Sequence, residues 1–271
     1  VNRLIYITDF QDIEFMSKPG NDDIEEFRLL SCDYGEAAAI ILKSAEEKDR
    51  KLFIHINLNN YYILKKKVRI TGNAFKNSIL FFEGIAMKAG FLASGRGSHK
   101  DINGTDLFPV LIKKLDGKKK SIFLLGAGEQ EIAAAAGKIA AEYHGVQVAG
   151  YHCGYYTESE ESSIVGAINS LEPDLLMLGM GMKKEAEFIE RNYGRLQVGA
   201  IWAVGGLFDF LSGKRKRAPV FIRSLRLEWL YRFFAAPGSK FFRNFVLPFW
   251  FFGHIIKNRK NMKIKVKRLS L

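Results

Sequence analysis

Short apolar runs alternate with stretches of helical period along most of the chain. The runs at residues 4–7, 51–58, 78–82, 121–128, 146–150, 174–178 and 199–204 end at glycine or polar residues, as strands buried on both faces do. Between them, residues 35–42, 61–67, 85–93, 129–143, 159–171 and 183–192 read as helices, and Thr105-Asp106 marks a further helix entry. Regular alternation of this kind predicts a parallel sheet covered on both faces, a doubly wound α/β fold. Beyond residue 213 the pattern turns helical. Pro219 opens a helix with Phe221, Leu225, Leu227, Trp229, Leu230 and Phe233 on a broad apolar face beside Arg223, Arg226 and Arg232, and Pro237-Gly238 ends it. Residues 240–260 then mix Phe, Trp and Leu with Lys and Arg. The expected organisation is a core over residues 1–213 and a basic, aromatic, helical appendage over residues 214–271.

Charge sharpens that division. Residues 214–271 hold 16 Lys and Arg against one acid, Glu228, or about +15; with +12 for the whole chain of 271 residues, residues 1–213 sum to about −3. Cationic residues interleaved with aromatic ones suit an anionic lipid surface. No nucleic-acid module is visible, which argues against that class of partner. The longest apolar run, residues 245–256, contains Pro248, Gly253 and His254 and falls short of the roughly 20 residues a spanning helix needs, so peripheral attachment is expected. Cys32 and Cys153 have no CxxC spacing and read as buried thiols of a reducing compartment; no secretory signal is evident at residues 1–15.

Candidate chemistry gathers at the carboxyl ends of the expected strands, where open α/β sheets bind ligands. Asn57, Asn59 and Asn60 follow one strand, either facing a ligand or capping the next helix. Glu83-Gly84 follows another and suits acid/base work or helix capping. Gly126-Ala127-Gly128 and Gly179-Met180-Gly181 are strand-to-helix turns whose backbone N–H groups can approach a phosphate. His152-Cys153 opens the loop HCGYY but has no evident third partner for nucleophilic or metal chemistry. Neither a metal nor a cofactor is expected.

Seven ordered segments over roughly residues 50–245 resemble the WecG/TagA/CpsF family of bacterial glycosyltransferases: INLNNYY, NGTDLFPVL, FLLGAGEQEIA, AGYHCGYY, PDLLMLGMGMKKEAEFI, VGGLFDFLSGKRKRAP and LEWLYRFFAAP. The resemblance implies a Rossmann-like core with a membrane-docking appendage on the cytoplasmic face of the cell membrane. It also implies transfer of a sugar from a UDP-sugar to a polyprenyl-diphosphate-linked acceptor, with inversion and without metal. Glu83, Asn57 and Asn59 would be catalytic. Gly126, Gly128, Gly154, Tyr155, Gly179, Gly181, Glu185 and Asp209 would hold the donor, and Arg217, Arg223 and Arg232 the diphosphate and acceptor.

The chain departs from the family pattern in places. Asn57 stands for a Thr, Glu83 for an Asp, Asp101 for an Arg, and Lys183, Glu185 and Ala186 for Pro, Gln and Glu. A second reading therefore stands beside the first, a relative with little or no turnover that binds UDP-sugar or lipid as an assembly partner. Whether like copies associate is left open.

Overall fold

The computed structural model describes residues 3–7, 27–66, 73–76, 78–93, 100–219, 221–222, 231, 246–257 and 264–268. The first half contains β1 (Arg3–Ile7), β2 (Phe27–Ser31), α1 (Tyr34–Glu47), β3 (Leu52–Ile56), α2 (Leu58–Lys66), α3 (Asn73–Lys76), β4 (Ser78–Phe82), α4 (Ile85–Ala93) and α5 (Gly104–Gly117). It continues with β5 (Ser121–Gly126), α6 (Glu129–Glu142), β6 (Gln147–His152), α7 (Glu158–Leu171), β7 (Leu175–Gly179), α8 (Met182–Asn192), β8 (Ala200–Ala203) and α9 (Leu207–Leu211). Then come α10 (Leu247–Lys257) and β9 (Ile264–Arg268).

One sheet in the order β6-β5-β7-β8-β3-β4-β2-β1-β9 organises the molecule. From β6 to β2 every neighbouring pair is parallel, as the alternation of strands and helices predicts. The remaining edge differs. β1 runs antiparallel to β2 and β9 antiparallel to β1, so the sheet is mixed at that side. The sequence IKVKR of β9 alternates Lys with apolar residues, a pattern suited to an outermost strand.

Every residue of β3, β4, β7 and β8 is buried, which is why these strands read as continuous apolar runs. Successive residues face opposite cores. Leu52, Ile54 and Ile56 join one cluster with Tyr61 of α2, Met87 of α4 and Phe188 of α8. Phe53 joins the other, with Ile41 of α1, Leu111 of α5 and Ile132 of α6.

This division creates a topological switch point. β5 leads through α6 on one face to β6, whereas β7 leads through α8 on the other face to β8, although β5 and β7 are neighbours. Helices departing to opposite faces from adjacent strands leave an opening at the carboxyl ends, the topological switch point.

The region beyond residue 213 is tied to the core where it is described. α10 packs on α2 and α4, burying Leu247 and Phe251 completely. A Cβ on Gly90 would lie 2.2 Å from the Phe251 ring, so only glycine admits this approach of α4 and α10. Trp250 packs edge-on against Tyr62 at 5.3 Å. Burying a Phe or Leu side chain contributes about 1.5–3 kcal/mol, so α10 is anchored by its inner side. Its outer side is bare, with Phe249 80% exposed. Among the described residues no helix is long and apolar enough to cross a membrane. Of the two thiols, Cys32 is buried and its pKa is pushed up to about 12, chiefly by burial and then by Glu36 and Asp33; Cys153 is half-buried.

Candidate active site

Three of the expected donor-binding turns interlock at the switch point. Gly126 closes β5 at φ 151°, and a Cβ there would fall 2.3 Å from the Gly179 carbonyl oxygen. Ala127 donates its N–H to that same oxygen at 3.0 Å, and its own carbonyl accepts from the Gly154 N–H at 2.8 Å. The turns after β5, β6 and β7 are therefore one unit. Gly128 and Gly181 are the caps of α6 and α8 and bring no side chain of their own to the helix amino termini. Lys184 closes the rim, donating to the Gly154 carbonyl at 2.7 Å with its ammonium 4.7 Å from the Tyr156 ring centre. Tyr155 stands beside it, 81% exposed.

Glu185 lies beneath this surface, 1% exposed. Its Oε1 accepts the N–H groups of Met180, Gly181 and Gly205 at 3.0, 2.9 and 3.0 Å. It fastens the turn after β7 to the turn after β8. Burial pushes its pKa up to about 7, against the three N–H groups, which act in the opposite direction.

The basic loop after α9 folds back onto acids of three elements. Lys214 meets Glu131 of α6 at 2.8 Å, Arg215 meets Asp209 of α9 at 3.0 Å, and Arg217 meets Asp106 of α5 at 2.7 Å. Asp209 is thus engaged by Arg215. Arg223 and Arg232 lie outside the described residues.

Along the same edge of the sheet, Glu83 follows β4 and Asn57 follows β3. The Asn57 Oδ1 accepts from the Asn60 N–H at 2.9 Å in the first turn of α2, while its Nδ2 donates to Glu83 Oε2 at 3.1 Å. Asn103 does the same from the other side: its Oδ1 accepts from the Thr105 N–H at 2.8 Å and its Nδ2 donates to Glu83 Oε1 at 3.1 Å. Of the two sequence readings of Asn57 the capping one is seen, and the same side chain also contacts Glu83. Asn59 lies in the first turn of α2, half-buried, whereas Asn60 is the one that reaches back, donating to the His55 carbonyl at 2.7 Å.

The segment carrying Asn103 is fixed by contacts the sequence reading did not single out. His55 on β3 contacts the Ile102 carbonyl through Nδ1 at 2.9 Å, and its Nε2 receives the Trp202 indole N–H at 2.9 Å. An indole nitrogen only donates, so Nε2 is the acceptor and Nδ1 carries the proton. Burial holds the imidazole neutral, with its pKa lowered to about 4. Asp101 accepts the Gly84 N–H at 2.9 Å, and the Ile102 N–H donates to the Phe82 carbonyl at 2.7 Å. The helix entry expected at Thr105-Asp106 begins instead at Gly104, with Asn103 as its cap. Among the described residues no cluster of three or more His, Cys, Asp or Glu has the geometry to hold a metal ion.

Glycine turns at the switch point and, three strands along the same side of the sheet, a carboxylate gripped by two amides describe an open α/β protein. The model of the "Glycosyl transferase WecG/TagA/CpsF family" matches residues 23–265, and the chain belongs to that family. Curated relatives include the "N-acetylglucosaminyldiphosphoundecaprenol N-acetyl-beta-D-mannosaminyltransferase" of Bacillus spizizenii strain W23, 33% identical over 53% of this chain and 55% of the relative. The protein of that name from Bacillus subtilis strain 168 is 36% identical over 50% of this chain and 52% of the relative. The one from Staphylococcus aureus strain NCTC 8325 is 27% identical over 69% and 76%. The chain spans about half the length of the Bacillus relatives it matches.

Proposed function

We propose that this chain transfers a sugar of the N-acetylmannosamine class from a UDP-sugar to an N-acetylglucosamine carried on polyprenyl diphosphate. The observation that carries the reading is the Glu83 carboxylate, held on both oxygens by Asn57 and Asn103 on the edge of the sheet that bears the glycine turns. Glu83 takes the proton from the acceptor hydroxyl as its oxygen attacks the anomeric carbon. The bond from that carbon to the diphosphate breaks, and UDP departs with the electron pair. Backbone N–H groups at the amino termini of α6 and α8, with Lys184 at the rim, offset the charge on the leaving diphosphate. Attack opposite the leaving group inverts the anomeric centre, and no metal enters this account.

A second reading, a binding partner without turnover, draws on Arg217, whose guanidinium is engaged by Asp106 rather than open to a diphosphate. A panel of UDP-sugars with a prenyl-diphosphate-N-acetylglucosamine acceptor separates the two. Donor-specific UDP release that requires the acceptor is the expected result; donor binding with no release across the panel would establish the second reading instead.

The lipid-borne acceptor places the reaction at a membrane surface, with the protein held there peripherally. Two features support this. Residues 214–271 concentrate the positive charge. The outer side of α4 presents Ile85, 52% exposed, and Leu92, 60% exposed, two turns apart on one face, with Phe249 exposed on the adjacent α10. Phe249→Asp is expected to weaken binding to vesicles rich in anionic lipid by about tenfold or more, the equivalent of one lost aromatic insertion. Its circular dichroism spectrum should be unchanged. Flotation with undiminished vesicle binding would take α10 out of the contact.

A further inference from the structure

Asn57 and Asn103 share an unusual economy: each amide oxygen caps a helix, α2 or α5, and each amide nitrogen is thereby turned toward one oxygen of Glu83. An Asn side chain free to rotate could present either end. Here the helix N–H groups settle the matter, because they require an acceptor. Asn103 is in turn placed by its neighbours. Asp101 holds the Gly84 N–H, Ile102 is bound through its N–H to Phe82 and through its carbonyl to His55, and the Asn103 N–H contacts the Tyr34 hydroxyl at 3.4 Å. Gly104 passes so close to His55 that a Cβ would lie 3.1 Å from Nε2.

We infer that Asn103 is a positioning residue for the transfer step: its amide fixes the Glu83 carboxylate in place and favours the ionised form that accepts the acceptor's proton. The inference rests on the reading of Glu83 as the base. A carboxylate receiving an N–H on each oxygen is stabilised in its charged state and cannot swing about its last torsion. The charged and titratable groups around it belong to several elements. Among the described residues they include Asp101 on the preceding segment, Tyr34 on α1, and Asp106 on α5, with Asp106 paired to Arg217.

The cap and the clamp can be separated by substitution. Asp and Ser are both good N-caps, so Asn103→Asp and Asn103→Ser keep the bond to Thr105. Neither supplies the amide N–H, and Asp adds a charge facing Glu83. The experiment measures kcat and donor KM against pH for the wild type, both Asn103 variants and Glu83→Gln, with thermal unfolding as a control. The acid limb of kcat should move to higher pH by about one unit in Asn103→Asp and by less in Asn103→Ser. At neutral pH kcat should fall about tenfold in Asn103→Asp, with donor KM and unfolding temperature near wild type. If Glu83→Gln is inactive while both Asn103 profiles superimpose on that of the wild type, the positioning role is wrong and the base survives. If Glu83→Gln keeps its turnover, the base reading fails and this inference fails with it.

Discussion

Glu83→Gln will lower the rate of UDP release by about 10²–10⁴-fold, the range general-base catalysis contributes. The shape of the side chain is nearly unchanged, so donor KM should hold while kcat collapses. The substitution also has a local cost, because one oxygen that faces an amide donor becomes an amide nitrogen. The oxygens of Asn57 and Asn103 are committed to Asn60 and Thr105, so neither Asn can turn to accept from it. One of the two bonds at 3.1 Å must therefore be lost. Glu83→Asp is the informative companion. A carboxylate shortened by one methylene cannot meet both amides, so partial activity is expected. Release of UDP measured at saturating donor and acceptor decides the matter, and full turnover in Glu83→Gln would remove this residue from the mechanism.

At Glu185 the expected loss is one of stability. Glu185→Ala leaves the N–H groups of Met180, Gly181 and Gly205 without their acceptor, and at about 1–3 kcal/mol for each unsatisfied group the cost should exceed about 3 kcal/mol. Glu185→Gln keeps an oxygen in the same place. The pH dependence distinguishes the two residues further. Because the folded pKa is raised from 4.5 to about 7, the native state binds this proton more tightly than the unfolded chain does. Its contribution is fully present below the unfolded value and is lost as pH rises through about 7, amounting to about 3 kcal/mol. Urea unfolding from pH 5 to pH 8 should show wild-type stability falling across that window and the Gln variant nearly level. Parallel curves for the two would mean that Glu185 stays ionised throughout.

The parallel body of the sheet is legible in the sequence because strands covered on both faces must be apolar throughout. The runs at residues 51–58, 78–82 and 174–178 leave little else to be. The mixed edge is not so easily read. The sequence FRLLS of β2 follows an acidic stretch with no turn signal of its own, and IKVKR of β9 draws the eye as charge before it shows its two-residue period. At the site, Glu83 stands out as a carboxylate at a strand end. Its pairing with Asn57 and Asn103 does not, because they are 26 and 20 residues away and meet it only through the order of strands. Glu185 illustrates the opposite case. A polar residue beside a glycine turn looks ligand-facing, yet the turn curls over it and uses it as an internal acceptor. The Asn103-Gly104 pair ahead of an apolar helical run is a cap signal, and applied there it would have located α5 correctly.

The chain from Trp202 through His55 to Ile102 bears on any attempt to graft new specificity onto this scaffold. A loop transplanted into residues 100–103 from another protein would bring its own backbone but not the imidazole it rests on, nor the indole that fixes that imidazole's tautomer. Successful transplants would have to travel as a package of loop, β3 histidine and β8 tryptophan, three pieces distant in the gene and contiguous only in the fold.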